Sequence, residues 1–199
     1  MESQTEQEIL NAAEIEFHKN GFSGTRMQQI AERAGINKAM LHYYFRSKEK
    51  LFTQVFYQAL RETFPMIKGI LESDKDLEDK IEDFVYHYIH TMRNRPQLPL
   101  FIVTEINQNP DRLRNFINEN NIGLPYAFLK QLYDEMEAGK IIQMDPRQVI
   151  VNVLSLCVFP FVGRRLIQTV MAMEDEEFEK FLEYRQNQLH TFILNALKP

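Results

Sequence analysis

The chain has 199 residues, 44% of them hydrophobic, with only 7 Gly and 8 Pro, a composition that fills a core and excludes collagen-like or disordered classes. The single cysteine, Cys157, excludes a disulfide framework or a CxxC metal site within one chain and suits a reducing cytoplasm. The formal net charge of −5 argues against a uniformly basic nucleic-acid binder, and the polar, acidic opening MESQTEQEIL supports neither export nor, with no run near ~18 apolar residues, membrane insertion.

Long segments of 3.6-residue periodicity dominate and alternating β-branched runs are missing, so the fold class is all-α. Residues 25–51, TRMQQIAERAGINKAMLHYYFRSKEKL, read as a helix, a glycine turn, a second helix and the start of a long third one. Thr25 stands at a capping position, with Gln28 three residues on to complete a capping box. Met27, Ile30, Ala31 and Ala34 form an apolar stripe. Gly35 then suits a left-handed C-terminal turn, and Asn37 is a good cap for the next helix. Helices joined by so few residues cross steeply. Leu41 and Phe45, at i and i+4, turn inward, which leaves Lys38, Ala39, His42 and Tyr43 outward. An exposed face at this position is a device for reading DNA. The charge distribution agrees with it: from Lys19 to Lys50 there are seven Lys or Arg against Glu32 and Glu49. Phosphate attraction depends on the field within about a Debye length, ~8 Å at physiological salt, so a remote acidic body does not cancel a basic head.

At these residues the chain resembles the TetR family of bacterial transcriptional regulators. The likeness consists of Ile9, Ala12, Ala13 and Phe17, then Gly21-Phe22 and Thr25, then Ile30-Ala31 with Ala34-Gly35-Ile36, and closes with Leu41, Tyr44-Phe45 and Lys48-Glu49-x-Leu51. It covers about the first quarter of the chain with the family's spacing intact. Two positions depart from it: the family often has Gly where Ala39 stands and Tyr where His42 stands. Both lie on the reading face and bear on which bases are read. The resemblance implies an N-terminal three-helix, helix-turn-helix DNA-binding domain over residues 1–50 and a larger helical ligand-binding and dimerisation domain over 51–199.

Lys38, in the first turn of the second helix, is the candidate for direct readout of base edges or adjacent phosphates. Tyr43 and Tyr44 suit the sugar-phosphate backbone or thymine methyls, Tyr44 having a core reading as well, and His42 is solvated or faces phosphate. Thr25 and Lys48, each at a helix start, resemble the family's phosphate clamps, to which Arg26 and Arg46 can add. The DNA-binding set is Thr25, Arg26, Asn37, Lys38, Ala39, His42, Tyr43, Tyr44 and Lys48. One such head makes few base contacts, so a homodimer reading a palindromic operator in double-stranded DNA is expected.

After Lys48, the residues Leu51, Phe52, Val55, Phe56 and Leu60 continue a helix that Pro65 should kink or end. Further periodic segments run over about 77–92, 98–106, 126–136, 149–161 and 177–197. Arg95-Pro96, Asn109-Pro110, Gly123-Leu124-Pro125, Gly139 and Asp145-Pro146 separate them as breakers. No repeat or flexible linker interrupts the chain, so head and body are expected as one continuous helical unit. Phe178, Phe181, Leu182, Leu189, Phe192, Ile193 and Ala196 make a broad stripe. With the apolar helix from Val149, it is similar to the pair of C-terminal helices with which the family dimerises; closure of the monomer core is the other reading. Pro160 places a kink between Phe159 and Arg165.

The family usually encloses a pocket for a small-molecule inducer in the body, and the candidate contacts are Tyr88, His87, His90, Phe101 and Tyr126. Asp83, His87 and His90, at i, i+4 and i+7, have a spacing that a metal could share, but no distant ligand is fixed by sequence; no metal and no cofactor enter the reading. Nucleophile elbow, phosphate loop and HExxH motifs are lacking, but it is the resemblance over residues 9–51 that decides the reading as a regulator and not an enzyme. The alternatives are a helical protein-interaction module with degenerate DNA binding and, further off, an enzyme using the helical body.

Overall fold

In a computed structural model of the chain, residues 2–123 and 125–199 are described, and all of their regular structure is helical. The helices are α1 Glu2–Gly24, α2 Met27–Arg33, α3 Lys38–Tyr44, α4 Lys48–Leu71, α5 Leu77–Asn94, α6 Leu98–Gln108, α7 Pro110–Glu119, α8 Tyr126–Glu137, α9 Pro146–Val162, α10 Arg164–Met171 and α11 Asp175–Leu197. The turn expected at Gly123-Leu124-Pro125 includes Leu124, which lies outside the described residues.

The kink expected between Phe159 and Arg165 and the break expected at Asn109-Pro110 are both present, whereas Pro65 does not end its helix. Pro65 neither ends nor breaks α4, which runs on to Leu71. Asn109-Pro110 starts α7, where the sequence reading placed only a breaker: Pro110 is in the first turn, where an amide has no intrahelical partner to lose. Pro160 stays within α9, and the chain bends by 73° only at the following break, Gly163, between α9 and α10. The carbonyl that Pro160 leaves without its i+4 amide, that of Leu156, accepts instead from Arg185 of α11, at 3.1 Å from Nε and 2.8 Å from Nη2.

The chain divides into two compact units, residues 1–63 with 101–120, and residues 64–100 with 121–199. The first unit therefore extends past α3 into α4 and takes in most of α6 and all of α7. Its core holds Ile9, Ala12, Ala13 and Phe17 of α1, Ile30 and Ala31 of α2, Leu41 and Phe45 at α3, and Leu51, Phe52 and Phe56 of α4. Phe52 is the centre of an aromatic cluster, 4.8 Å from Phe17, 5.1 Å from Phe22 and 5.4 Å from Phe101 between ring centroids. Buried Glu105 is paired with Arg112, which also reaches Glu49 and lies over the Phe52 ring. Burial raises the Glu105 carboxyl above its ordinary range while Arg112 pulls it back.

In the second unit α5 packs most extensively on α11, and α9 packs on α5, α8, α10 and α11. Leu77, Ile81, Phe84, Val85, Tyr88, Ile89 and Met92 form the inner stripe of α5. Phe178, Leu182, Leu189 and Ile193 form that of α11. Cys157 is buried and free, and desolvation pushes its thiol up to about 12. No single described helix is long and apolar enough to cross a membrane.

Candidate nucleic-acid interface

The geometry of the α2–α3 turn comes from backbone hydrogen bonds. Gly35 takes φ 67°, which a residue with a Cβ adopts only with strain. With the chain so turned, Ile36 N–H donates to Ala31 O at 3.0 Å and Gly35 N–H to Glu32 O at 3.2 Å, the paired bonds of a Schellman ending. Asn37 caps α3 as expected, its Oδ1 accepting from Met40 N–H at 2.8 Å. Leu41 and Phe45 are then buried, and the opposite face of α3 points away from the first unit's core.

On that face Lys38, Ala39, His42 and Tyr43 are exposed, Tyr43 at 75%. Tyr44 is half-buried and its ring meets that of Tyr43 edge to face at 5.4 Å. Met40 also reaches this surface, at 38% exposure, and sequence reasoning missed it. The signal was present: once Leu41 and Phe45 fix the inner direction, Met40 falls at the flank of the stripe and not in its middle. Arg26, Lys38, Arg46 and Lys50 are exposed and, among the described residues, have no carboxylate within ion-pair distance. Arg33, by contrast, is held by Glu16 at 2.6 Å.

Two members of the expected phosphate clamp are held inside the fold. Thr25 is buried, with its hydroxyl 2.7 Å from Gly21 O and 3.0 Å from Glu16 O, so its one proton goes to the end of α1. The capping box expected from Thr25 and Gln28 is therefore displaced by one residue. Arg26 is the N-cap, its amide donating to Gln29 Oε1 at 2.9 Å, while Gln28 reaches Glu32 along α2. Lys48 Nζ donates to Phe22 O at 2.9 Å and Thr25 O at 3.0 Å, above the Phe22 ring, and ties the start of α4 to the α1–α2 turn.

The expected ligand contacts are not brought together. Tyr88 is buried against Phe84 and Phe161, and desolvation raises its phenol well above the ordinary range. His87 and His90 are exposed on α5, with His90 stacked on Tyr86. Tyr126 is 70% exposed, and Phe101 belongs to the aromatic cluster of the first unit. Asp83 is engaged by Lys75 at 2.6 Å, and among the described residues no three His, Cys, Asp or Glu side chains converge as a metal site. Among the hollows of the second unit is one of about 70 Å³ between α4, α5, α8 and α9. Lys80 lines it together with apolar residues including Ile67, Phe84, Phe128, Ile150 and Val153. Its sequence signal was a lysine at the i+3 position of the stripe that begins at Leu77 and continues through Ile81 and Phe84.

Comparison with known proteins agrees with this architecture. Residues 9–55 match the model for bacterial regulatory proteins of the tetR family. The HTH-type transcriptional regulator RutR of Escherichia coli (strain K12) is 32% identical over 150 residues, 71% of this chain and 66% of that protein. The HTH-type transcriptional repressor NicS of Pseudomonas putida is 27% identical over 174 residues, 85% of this chain and 82% of that one. Among solved structures, the TetR family transcriptional regulator PfmR from Thermus thermophilus superposes with a TM-score of 0.70 at 20% identity, over 96% of this chain and 99% of that one, a likeness of fold. With the helix-turn-helix in place and its outer face unpartnered, the chain belongs to the TetR family and is a helix-turn-helix transcriptional regulator.

Proposed function

We propose that the protein is a homodimeric repressor that occupies a palindromic operator through α3 and is released when a small molecule binds the helical body. The observation that carries DNA reading is the outward face of α3, where Lys38, Ala39, His42 and Tyr43 are exposed beside unpaired Arg26, Arg46 and Lys50. Lys38 is assigned to base edges and Tyr43, Tyr44, Arg26 and His42 to the backbone, with Asn37 and Ala39 shaping the helix start. Thr25 and Lys48 keep their place in the interface as the residues that fix its shape and present helix ends to phosphate. Residues 1–50 serve as the DNA-binding domain and 51–199 as the ligand-binding and dimerisation domain.

Dimerisation is supported by an apolar surface on α9 and α11: Val151 and Phe159 on the first, Tyr184 and Phe192 on the second, are more than half exposed. Large apolar side chains left exposed on two helices that pack together are what a docking surface presents. The repressor sign follows the relative NicS, and a cytoplasmic location accords with DNA as the partner.

The test is affinity for a cognate duplex at several salt concentrations. The expected result is a steep fall of log affinity with log salt, and for Lys38→Ala a loss of about 1–3 kcal/mol in discrimination between cognate and scrambled duplex. Discrimination by the variant equal to that of the parent would remove α3 as the reading element.

A further inference from the structure

Lys38, Ala39 and Met40 make up the first turn of α3, the part of such a helix that meets base edges. The cap fixes this turn: Asn37 Oδ1 accepts from Met40 N–H at 2.8 Å, and Asn37 O accepts from Leu41 N–H at 3.1 Å. Leu41 and Phe45 set the inward direction. At the helical spacing, Ala39 and Tyr43 stand opposite it, with Met40 on one side and Lys38 and His42 on the other. All five are exposed, so the centre of the outward face is apolar and its margin is cationic. The face carries no carboxylate, and the one amide at its edge, Asn37, has its oxygen engaged in the cap. In the major groove, adenine and cytosine present amino groups that a carboxylate or amide oxygen would accept from, and guanine presents acceptors that Lys38 meets. The thymine C5-methyl is the apolar group there, and Met40 and Ala39 are its chemical match.

We infer that Met40 is a specificity-determining residue, its thioether side chain packed on the C5-methyl group of a thymine in each half-site. The inference rests on the proposed reading of DNA by α3 and names the base chemistry that α3 selects. An unbranched, polarizable side chain adapts to a methyl group without needing a hydrogen-bond partner. The contact favours thymine over cytosine, whose C5 bears only hydrogen. Burial of Leu41 and Phe45 leaves Met40 out of the core, at 38% exposure, so its side chain is available to a partner. The partner's chemistry is indicated by what surrounds it: Arg26, Lys38, Arg46 and Lys50 are exposed, with no carboxylate within ion-pair distance among the described residues. Cations around an apolar centre match a groove with phosphates at its rims and methyl groups on its floor.

The probe is the duplex that the full-length protein enriches from random sequence, resynthesised with each thymine in turn replaced by deoxyuridine, which keeps the pairing and removes only the methyl group. One thymine per half-site is expected to respond, with about fourfold weaker binding for the loss of one buried methyl. For Met40→Ala the same replacement should change affinity by less than about twofold, since the methyl then has little to pack against. Met40→Gln, similar in length but polar, should lose the response as well, and Met40→Leu, which stays apolar, should keep it. The two polar and truncated variants guard against a folding defect in either one. A response that persists in full in both Met40→Ala and Met40→Gln would overturn the assignment to Met40. An enriched duplex in which no thymine responds would overturn the inference and leave α3 as the reading element. Failure to enrich any duplex would remove the reading of DNA by α3 and this inference with it.

Discussion

Lys38 and Lys48 carry the same charge ten residues apart, yet one projects into solvent and the other is fastened to two carbonyls. Their substitutions should therefore separate cleanly. Lys48→Met and Thr25→Val each remove hydrogen bonds to carbonyls of the α1–α2 region and should lower unfolding stability by about 1–3 kcal/mol. Lys38→Ala and Tyr43→Ala should stay within about 0.5 kcal/mol in the same urea titration while weakening DNA binding. A large stability loss for Tyr43→Ala would mean that its ring is part of the core. Cys157 provides a second prediction. Its thiol is neutral in the folded state, so the stability linked to it is complete below the ordinary value of 9.0 and is lost only as pH rises from there through about 12. A thiol reagent at pH 8 should label the folded protein at least a hundredfold more slowly than the urea-unfolded chain. Equal rates would place Cys157 at the surface. At this scale the sequence conveyed residue type and inward direction, as at Leu41 and Phe45, but the cap slipped from Thr25 to Arg26. A threonine hydroxyl bonds whichever backbone group is nearest, and here the end of α1, far from α2 in local pattern, supplied it.

Among the elements, α9 is the one whose behaviour depends most on another helix. Its proline costs one intrahelical hydrogen bond, and Arg185 of α11 satisfies the carbonyl that results. Arg185 is itself half-buried, and desolvation lowers its pKa, so the bond is made away from bulk water. Removing the guanidinium by Arg185→Ala should cost about 1–3 kcal/mol. In a Pro160→Ala background the new amide can take the Leu156 carbonyl, and the same substitution should cost less than half as much; a double-mutant cycle with no coupling would refute the pairing. The bend at Gly163 has a steric origin as well: a Cβ there would stand 3.0 Å from the Phe159 ring. Periodicity revealed α5, α6, α8, α9 and α11 because each has an inner stripe repeated over several turns. It left out α7 and α10, which are short. No residue of α10 is buried, so it offers no inner stripe to detect. Dividing the chain by sequence position also hides that residues 101–120 belong with the first unit, since return of a distant segment is set by tertiary packing around Phe52.

For the molecule as a whole, a net charge of −5 and a DNA-reading role are reconciled by where the charges sit. The exposed, unpaired cations Arg26, Lys38, Arg46 and Lys50 fall within 25 residues, whereas the acidic excess belongs to the rest of the chain. Such a distribution favours local phosphate binding and keeps the remainder soluble. In the proposed dimer the exposed apolar residues of α9 and α11 are the surface on which a second copy docks, and a two-fold arrangement would present two α3 helices to one duplex. The helix-turn-helix was legible because its turn, cap and stripe are local. The cavity of the second unit was not, because its wall is assembled from four helices, and aromatic residues such as Phe101 and Tyr88 are claimed by packing. The most direct measurement is selection from random duplexes by the full-length protein beside the Lys38→Ala/Tyr43→Ala double variant. The account predicts an inverted repeat enriched by the parent and lost in the variant; the same enrichment by both proteins, or none by the parent, would contradict it.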